Sequence, residues 1–208
     1  MIKKYKCVIV ANGLFPSGPQ ALELLYAAEF VIACDGAVVT LEQHRIPDRI
    51  VGDLDSLSEQ VKSRYTDRLV QIQEQETNDL SKAVQYARER GFREVLILGA
   101  TGLREDHTLG NISLLMEYVS YFDRVEMLSD FGLFTPLECT TTLESYPGQQ
   151  VSLFSVYPHA AISVTGLRYP IEKRRLFFWW EATLNEALGD NFTVLLEEEA
   201  RVLVYRQL

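Results

Sequence analysis

Ile50-Val51-Gly52-Asp53-Leu54-Asp55-Ser56 is a short apolar run that ends on a glycine and then sets two aspartates two residues apart. In extended backbone, residues i and i+2 point to the same side, so Asp53 and Asp55 are expected to aim both carboxylates at one place. Two like charges held that close raise each other's pKa and cost stability unless a cation lies between them. Carboxylate oxygens at a strand end are ligands that Mg²⁺ takes when it also carries phosphate. Asp, Gly and Ser are also turn formers. By itself the stretch therefore reads either as a turn or as half of a metal site.

Working outward, Ile50-Val51 is one of a series of buried β-prone runs that each end in a polar loop. Cys7 to Ala11 ends at Asn12-Gly13, Phe30 to Cys34 ends at Asp35-Gly36, and Glu94 to Leu98 ends at Gly99-Ala100-Thr101-Gly102. A short strand at Leu69 to Ile72 and another at Arg124 to Leu128 complete the set. Helical patterns fall between them: Gln20 to Ala28, Val38 to His44, Ser58 to Tyr65, Asn78 to Arg90 with Thr77 as N-cap and Gly91 as stop, and Asp106 to Val119. Strand and helix alternate, which predicts an α/β domain with a mostly parallel sheet.

Beyond Asp130 the helical periodicity disappears. Short β-prone runs at Val151 to Val156, Ala161 to Thr165, Arg175 to Trp179, Phe192 to Leu196 and Arg201 to Tyr205 stand between turn signals such as Pro147-Gly148 and Gly189-Asp190. They predict an all-β sandwich or barrel. The expected division is an α/β domain over 1–132 and a β domain over 133–208. Of ten aspartates only Asp190 lies beyond Asp130, so aspartate enrichment belongs to the first domain.

The chain of 208 residues is 47% hydrophobic, enough for a substantial core, and its net charge of −9 excludes a non-specific nucleic-acid surface. A polyphosphate ligand would have to arrive with a metal or meet local Lys and Arg. Cys7, Cys34 and Cys139 match no zinc spacing and read as reduced, buried thiols. No apolar run reaches the length of a membrane span. Met1-Ile2-Lys3-Lys4 has the charge of a leader, but the run from Cys7 to Ala11 is too short for its apolar core. A cytoplasmic protein is expected.

In a parallel α/β sheet ligands bind outside the carboxyl ends of the strands. Asp35, Asp53 and Asp55 fall there, as do Asp79 and Lys82 in the first turns of one helix and Arg104, Asp106 and His107 after the Glu94 strand. The alternative reading makes Asp79 and Asp106 helix-start acids, Arg104 a surface ion-pair partner, His107 a helix-start hydrogen bonder and Lys82 a solvated helix residue. Five aspartates on one sheet edge, however, repel one another more than capping stabilises them. Gly99 to Gly102 can present N–H groups to phosphate, with Arg104 as a bidentate partner. Phe177 to Trp180 reads as core or edge packing of a β-strand.

These motifs resemble the thiamin pyrophosphokinases. The matching stretches are Cys34-Asp35-Gly36, Val51 to Ser56, Glu76-Thr77-Asn78-Asp79-Leu80-Ser81-Lys82-Ala83, and Gly99 to His107 continuing to Asn111 and Leu115; Val151 to Phe154 and Thr165-Gly166-Leu167 match more thinly. The resemblance implies an α/β catalytic domain, a thiamin-binding and dimerisation β domain, and a homodimer with active sites at the subunit interface. It implies transfer of pyrophosphate from Mg-ATP to the hydroxyl of thiamin, leaving AMP. Asp53, Asp55 and Asp79 would hold Mg²⁺ and, with Arg104 and Asp106, form the catalytic set. Asp35, Lys82, Gly99, Thr101, Gly102, Arg104, His107 and Asn111 would meet ATP and its phosphates. Tyr169, Thr183 and Asn185 would face the acceptor. One departure stands out: where the family places a Ser-Asn pair, this chain has Leu184-Asn185. Another heterocyclic alcohol, such as a hydroxymethylpterin, is the alternative acceptor, and a non-catalytic nucleotide-binding protein is the alternative class.

Overall fold

Continuous apolar runs make strands buried on both faces, and Cys7–Val10 (β1), Phe30–Cys34 (β2), Arg49–Gly52 (β3) and Glu94–Leu98 (β5) are of this kind. The computed structural model of the protein describes residues 4–197 and 200–208. Of the leader-like start, all but Lys4 lies outside them. The described chain forms two compact units: one runs through Leu114 and again from Tyr121 to Asp130, and the other takes Leu115–Ser120 and Phe131–Leu208. No helix among the described residues is long and apolar enough to cross a membrane.

In the first unit, Leu69–Gln71 (β4) and Arg124–Leu128 (β6) join the strands above in the order β6-β5-β1-β2-β3-β4, every pair parallel. The chain steps from β1 outward through β2, β3 and β4, then returns to the other side of β1 with β5 and β6. The order thus reverses between β1 and β5, where such sheets open a crevice at their carboxyl ends. The connecting helices are Pro19–Ala27 (α1), Val38–Leu41 (α2), Glu59–Arg64 (α3), Asp79–Glu89 (α4) and Glu105–Tyr118 (α5). Helix α4 buries Leu80, Ala83, Val84 and Ala87, the i, i+3, i+4, i+7 stripe of an amphipathic helix. Gly91, at φ +79°, closes it as expected. Its cap is not Thr77. The Asn78 side chain accepts the Ser81 N–H at 2.9 Å, whereas the Thr77 hydroxyl donates to Glu74.

The second unit is antiparallel throughout. Gly132–Leu137 (β7), Gln150–Ser155 (β9), Asn185–Glu186 (β12) and Val202–Gln207 (β14) form one sheet in the order β12-β9-β14-β7. Thr141–Glu144 (β8), Ile162–Thr165 (β10), Ile171–Arg174 (β11) and Asn191–Leu196 (β13) form the other, in the order β11-β10-β13-β8. Val151, Val164, Phe192, Val194, Val202 and Val204 pack into the core of this sandwich.

Two expectations fail here. Arg175 to Trp179 is not a strand, because the Glu181 carboxylate takes the N–H groups of Phe177 (2.6 Å) and Phe178 (2.7 Å) that a ladder would need. Trp179–Ala182 then winds into a 3₁₀ turn, and Phe177, Phe178 and Trp180 are exposed rather than core. Cys139 is exposed, while Cys7 and Cys34 are buried as expected. Burial pushes the Cys7 thiol up to about 12, with the Asp48 charge adding to it.

Helix α1 begins at Gly18 and Pro19, with no side chain of its own to cap it. Asp130 does so from beyond β6. It accepts the Ser17 N–H and hydroxyl at 3.0 and 2.8 Å and the Gly18 N–H at 2.8 Å. Burial alone would raise the Asp130 pKa; these donors outweigh it and hold the carboxyl below its ordinary value. Asp130→Ala is expected to lower unfolding stability by about 1–2 kcal/mol in urea titrations near pH 7. Because the folded pKa is depressed, the Asp130 contribution is complete above about pH 4 and fades as pH falls through the folded value. The difference between wild type and Asp130→Ala should therefore shrink at pH 3.

Candidate active site

The register of β2 on β3 pairs Cys34 with Val51, so Asp35 arrives opposite Gly52. An alanine Cβ at residue 52 would stand 2.8 Å from Asp35 Cβ and 3.1 Å from Asp79 Oδ1. Glycine is the residue that lets these carboxylates approach one strand end. Beyond it, Leu54 takes a left-handed backbone at φ +66°, and the Asp55 N–H donates to Asp53 Oδ1 at 3.2 Å. The aspartate pair is thus brought together by a turn, not by extended alternation. Asp35, Asp53 and Asp55 each bring a carboxylate oxygen within 4.8 Å of the others.

The partners of this trio are unequal. Asp35 is 4% exposed; one oxygen accepts the Ser56 hydroxyl, and Oδ1 is buried with no hydrogen-bond partner among the described residues. The Asp55 N–H, with Lys82 behind it, lowers the Asp53 pKa, and the shared hydrogen bond and charge of Asp53 raise that of Asp55. Asp79 stands beside the trio in the first turn of α4. Burial raises its pKa, Lys82 opposes that, and the charges of Asp35 and Asp53 add to it. Lys82 is not a solvated helix residue. It is 4% exposed, and its Nζ lies 3.5 Å from Asp79 Oδ1 and 3.7 Å from Asp53 Oδ2. Burial and the Asp79 and Asp35 charges push the neighbouring Cys34 thiol well up, so it stays protonated.

The glycine loop lies at the β1/β5 crevice. Gly99 N–Cα geometry is left-handed (φ +65°), and a Cβ there would meet Ala11 O at 2.7 Å. The carbonyls of Gly99 and Thr101 accept N–H groups of Gly13 and Leu14 at 2.7 and 2.9 Å, locking the loops after β1 and β5 together. Asn111 donates to Ala100 O at 2.9 Å and accepts from the Asn78 side chain at 3.2 Å, which ties this loop to the start of α4. Arg104 is exposed and forms a two-pronged pair with Asp106, whose carboxyl that pair holds at about 2. His107 is exposed and its N–H also donates to Asp106. Asp106 is therefore bonded to Arg104 and His107 and is not among the acids grouped within 4.8 Å of one another.

In the second unit, Asn185 is buried and its amide is committed to backbone. It accepts from the Tyr169 and Glu186 N–H groups at 3.0 and 2.9 Å and donates to Tyr169 O at 2.7 Å. The Thr183 hydroxyl donates to Trp180 O. Leu184 is 76% exposed with a left-handed φ of +59°, and Tyr169 is exposed beside the held backbone.

Residues 21–128 match the family model for the thiamin pyrophosphokinase catalytic domain, and residues 132–205 match that for the thiamin pyrophosphokinase substrate-binding domain. The chain belongs to the thiamin pyrophosphokinase family. Thiamin pyrophosphokinase 1 of Caenorhabditis elegans is 28% identical over 180 residues, 76% of this chain and 71% of that protein. Thiamine pyrophosphokinase 3 of Oryza sativa subsp. japonica is 30% identical over 165 residues, 72% of this chain but only 61% of its own length. The crystal structure of thiamine pyrophosphokinase from Bacillus subtilis superposes with a TM-score of 0.79 at 24% identity, covering 97% of this chain and 99% of that one, and so shares its fold.

Within this pyrophosphokinase fold, sequence reasoning missed two residues of the site. Asn12 marks only the end of β1 in the sequence, yet its side-chain amide and the Ser56 hydroxyl would stand 2.9 and 3.1 Å from a Cβ on Gly36. Ser56 is the partner of Asp35. Its place immediately after the strand-end aspartate pair was the available signal. Gly52→Ala tests the packing. An alanine in a strand ordinarily stabilises relative to glycine. Here unfolding stability is expected to fall by about 1–3 kcal/mol in urea titration, because the added methyl must displace Asp35 or Asp79.

Proposed function

We propose that this family member transfers the pyrophosphoryl group of Mg-ATP to the hydroxyl of thiamin, giving thiamin diphosphate and AMP. The observation that carries the reading is the convergence of Asp35, Asp53 and Asp55 within 4.8 Å at one sheet edge, with Asp79 beside them. Three carboxylates and an unpartnered buried oxygen on Asp35 make a hard-oxygen donor set that suits Mg²⁺. Asp53, Asp55 and Asp35 or Asp79 would hold it. When bound, the cation neutralises phosphate charge.

The acceptor oxygen forms a bond to the β-phosphorus as the bond from that phosphorus to the oxygen of the AMP moiety breaks; the hydroxyl proton passes to an acidic oxygen of the site or to water. Arg104, already paired in two-pronged fashion, has the planar fork that binds phosphate oxygens, and it would exchange Asp106 contacts for them. Gly99, Thr101 and Gly102 fix the loop that carries it, and Asn111 anchors that loop. His107, in the same loop-to-helix segment, and Lys82, beside the carboxylates, are the further candidates for phosphate contact. Tyr169 and Thr183 serve the acceptor in the 133–208 domain, with Asn185 holding the Tyr169 backbone for it, and the same domain pairs two copies into a homodimer. A cytoplasmic location suits the reduced Cys7 and Cys34 thiols.

Leu184 favours a second reading, since the exposed alkyl group stands where the family's serine is expected to meet thiamin. Another heterocyclic alcohol is then the acceptor for the same transfer. Incubation with Mg-ATP and thiamin should release AMP and thiamin diphosphate. AMP formed with a hydroxymethylpterin and not with thiamin would select the second reading, and ATP binding without AMP from any acceptor would leave only a nucleotide-binding role. Asp55→Asn should lower turnover more than about 100-fold with an unchanged circular dichroism spectrum; near-normal turnover would remove the metal role of the pair.

A further inference from the structure

Lys82 is the basic residue of the site whose surroundings contradict its chemical type. A lysine side chain ordinarily keeps its ammonium in water. This one is 4% exposed and ends between carboxylates, 3.5 Å from Asp79 Oδ1 and 3.7 Å from Asp53 Oδ2. Burying an ammonium is costly unless fixed negative charge surrounds it, and crowding four carboxylates is costly unless positive charge sits among them. Each solves the other's problem. Asp53 faces both ways: Oδ2 meets Lys82, while Oδ1 is held by the Asp55 N–H.

We propose that Lys82 is the resident counter-ion of the aspartate cluster: its ammonium holds Asp53 and Asp79 in place in the metal-free protein and competes with the divalent cation for them. The proposal rests on the metal reading given above. It differs from a phosphate-binding lysine in where the charge acts, on the protein's own carboxylates before any nucleotide arrives. Linkage then fixes two signs. Removing the ammonium destabilises the metal-free protein, because the carboxylates lose their counter-charge. It also tightens cation binding, because the cation no longer competes with a fixed charge and now relieves the repulsion that lysine relieved before.

The experiment uses the full chain, freed of metal with a chelator, as wild type, Lys82→Met and Lys82→Gln, the last in case the methionine variant does not fold. Thermal melting is recorded without metal and with saturating Mn²⁺, and Mn²⁺ is titrated calorimetrically. The metal-free variants should melt at least about 5 °C below wild type. Mn²⁺ should recover most of that loss and bind about 5-fold or more tightly than to wild type. Adding Asp79→Asn to Lys82→Met should restore part of the metal-free loss, which a lysine serving only as packing would not show. Unchanged metal-free melting with unchanged Mn²⁺ affinity would overturn the proposal and return Lys82 to the phosphates. Equal melting losses with and without Mn²⁺ would also overturn it. If wild type binds no Mn²⁺, the metal reading itself falls; if it binds Mn²⁺ and the variants bind no more tightly, only the counter-ion role falls.

Discussion

The site depends on one electrostatic constraint: four carboxylates must share the ends of two neighbouring strands and one helix. Strands in a sheet lie only about 4.8 Å apart, so acids at adjacent strand ends are crowded by the fold itself. The β2/β3 register sets Asp35 across from Gly52, and α4 begins with Asp79 over the same spot. Everything nearby answers to that crowding. Gly52 has no side chain because there is no room for one. Ser56 donates to Asp35, the Asp55 N–H to Asp53, and Lys82 brings its charge to Asp53 and Asp79. Even Cys34 is kept a neutral thiol by burial and by its acidic neighbours.

The parallel half of the fold was legible because its strands are buried on both faces and therefore read as unbroken apolar runs. Arg124–Leu128 and Glu94–Leu98 lie where those runs predict them. The antiparallel half was less so. Thr141–Glu144 has a mixed, largely polar sequence and Asn185–Glu186 is only a two-residue strand, so neither has a pattern of its own; they exist because partner strands pair with them. Arg175 to Trp179 failed in the opposite direction. Its local β preference is real, but the Glu181 carboxylate bonds its N–H groups, and one long-reaching side chain outweighs propensity.

The site shows the same division. Asp53 and Asp55 were recognisable as a pair, although the reason differs: the turn at Leu54, not the alternation of a strand, brings them together. A turn and a cluster of carboxylates are not alternatives here, because the turn at Leu54 is what gathers the acids. Lys82 could not be seen as buried, because helical periodicity marks the Leu80, Ala83, Val84 and Ala87 stripe and leaves lysine to its default of solvent. Its ammonium ends between Asp79 of its own helix and Asp53 from the end of β3, and the second of these is not contained in the helix sequence.

Asn185 shows why a matched motif residue need not carry the specificity that the motif is known for. Its carbonyl oxygen takes two backbone N–H groups and its amide nitrogen one carbonyl, leaving a single N–H unassigned in these bonds. An asparagine so committed is required by the backbone around Tyr169 whatever the acceptor is. Its presence therefore says little about thiamin as opposed to another heterocycle. Leu184 is different: its N–H is held by the Ser152 hydroxyl, its backbone is left-handed, and its side chain is 76% exposed. Nothing in the fold of the β domain asks for leucine there. The left-handed backbone constrains this position, but the exposed side chain makes no contact among the described residues that requires an alkyl group, so a change of side chain here costs the scaffold little.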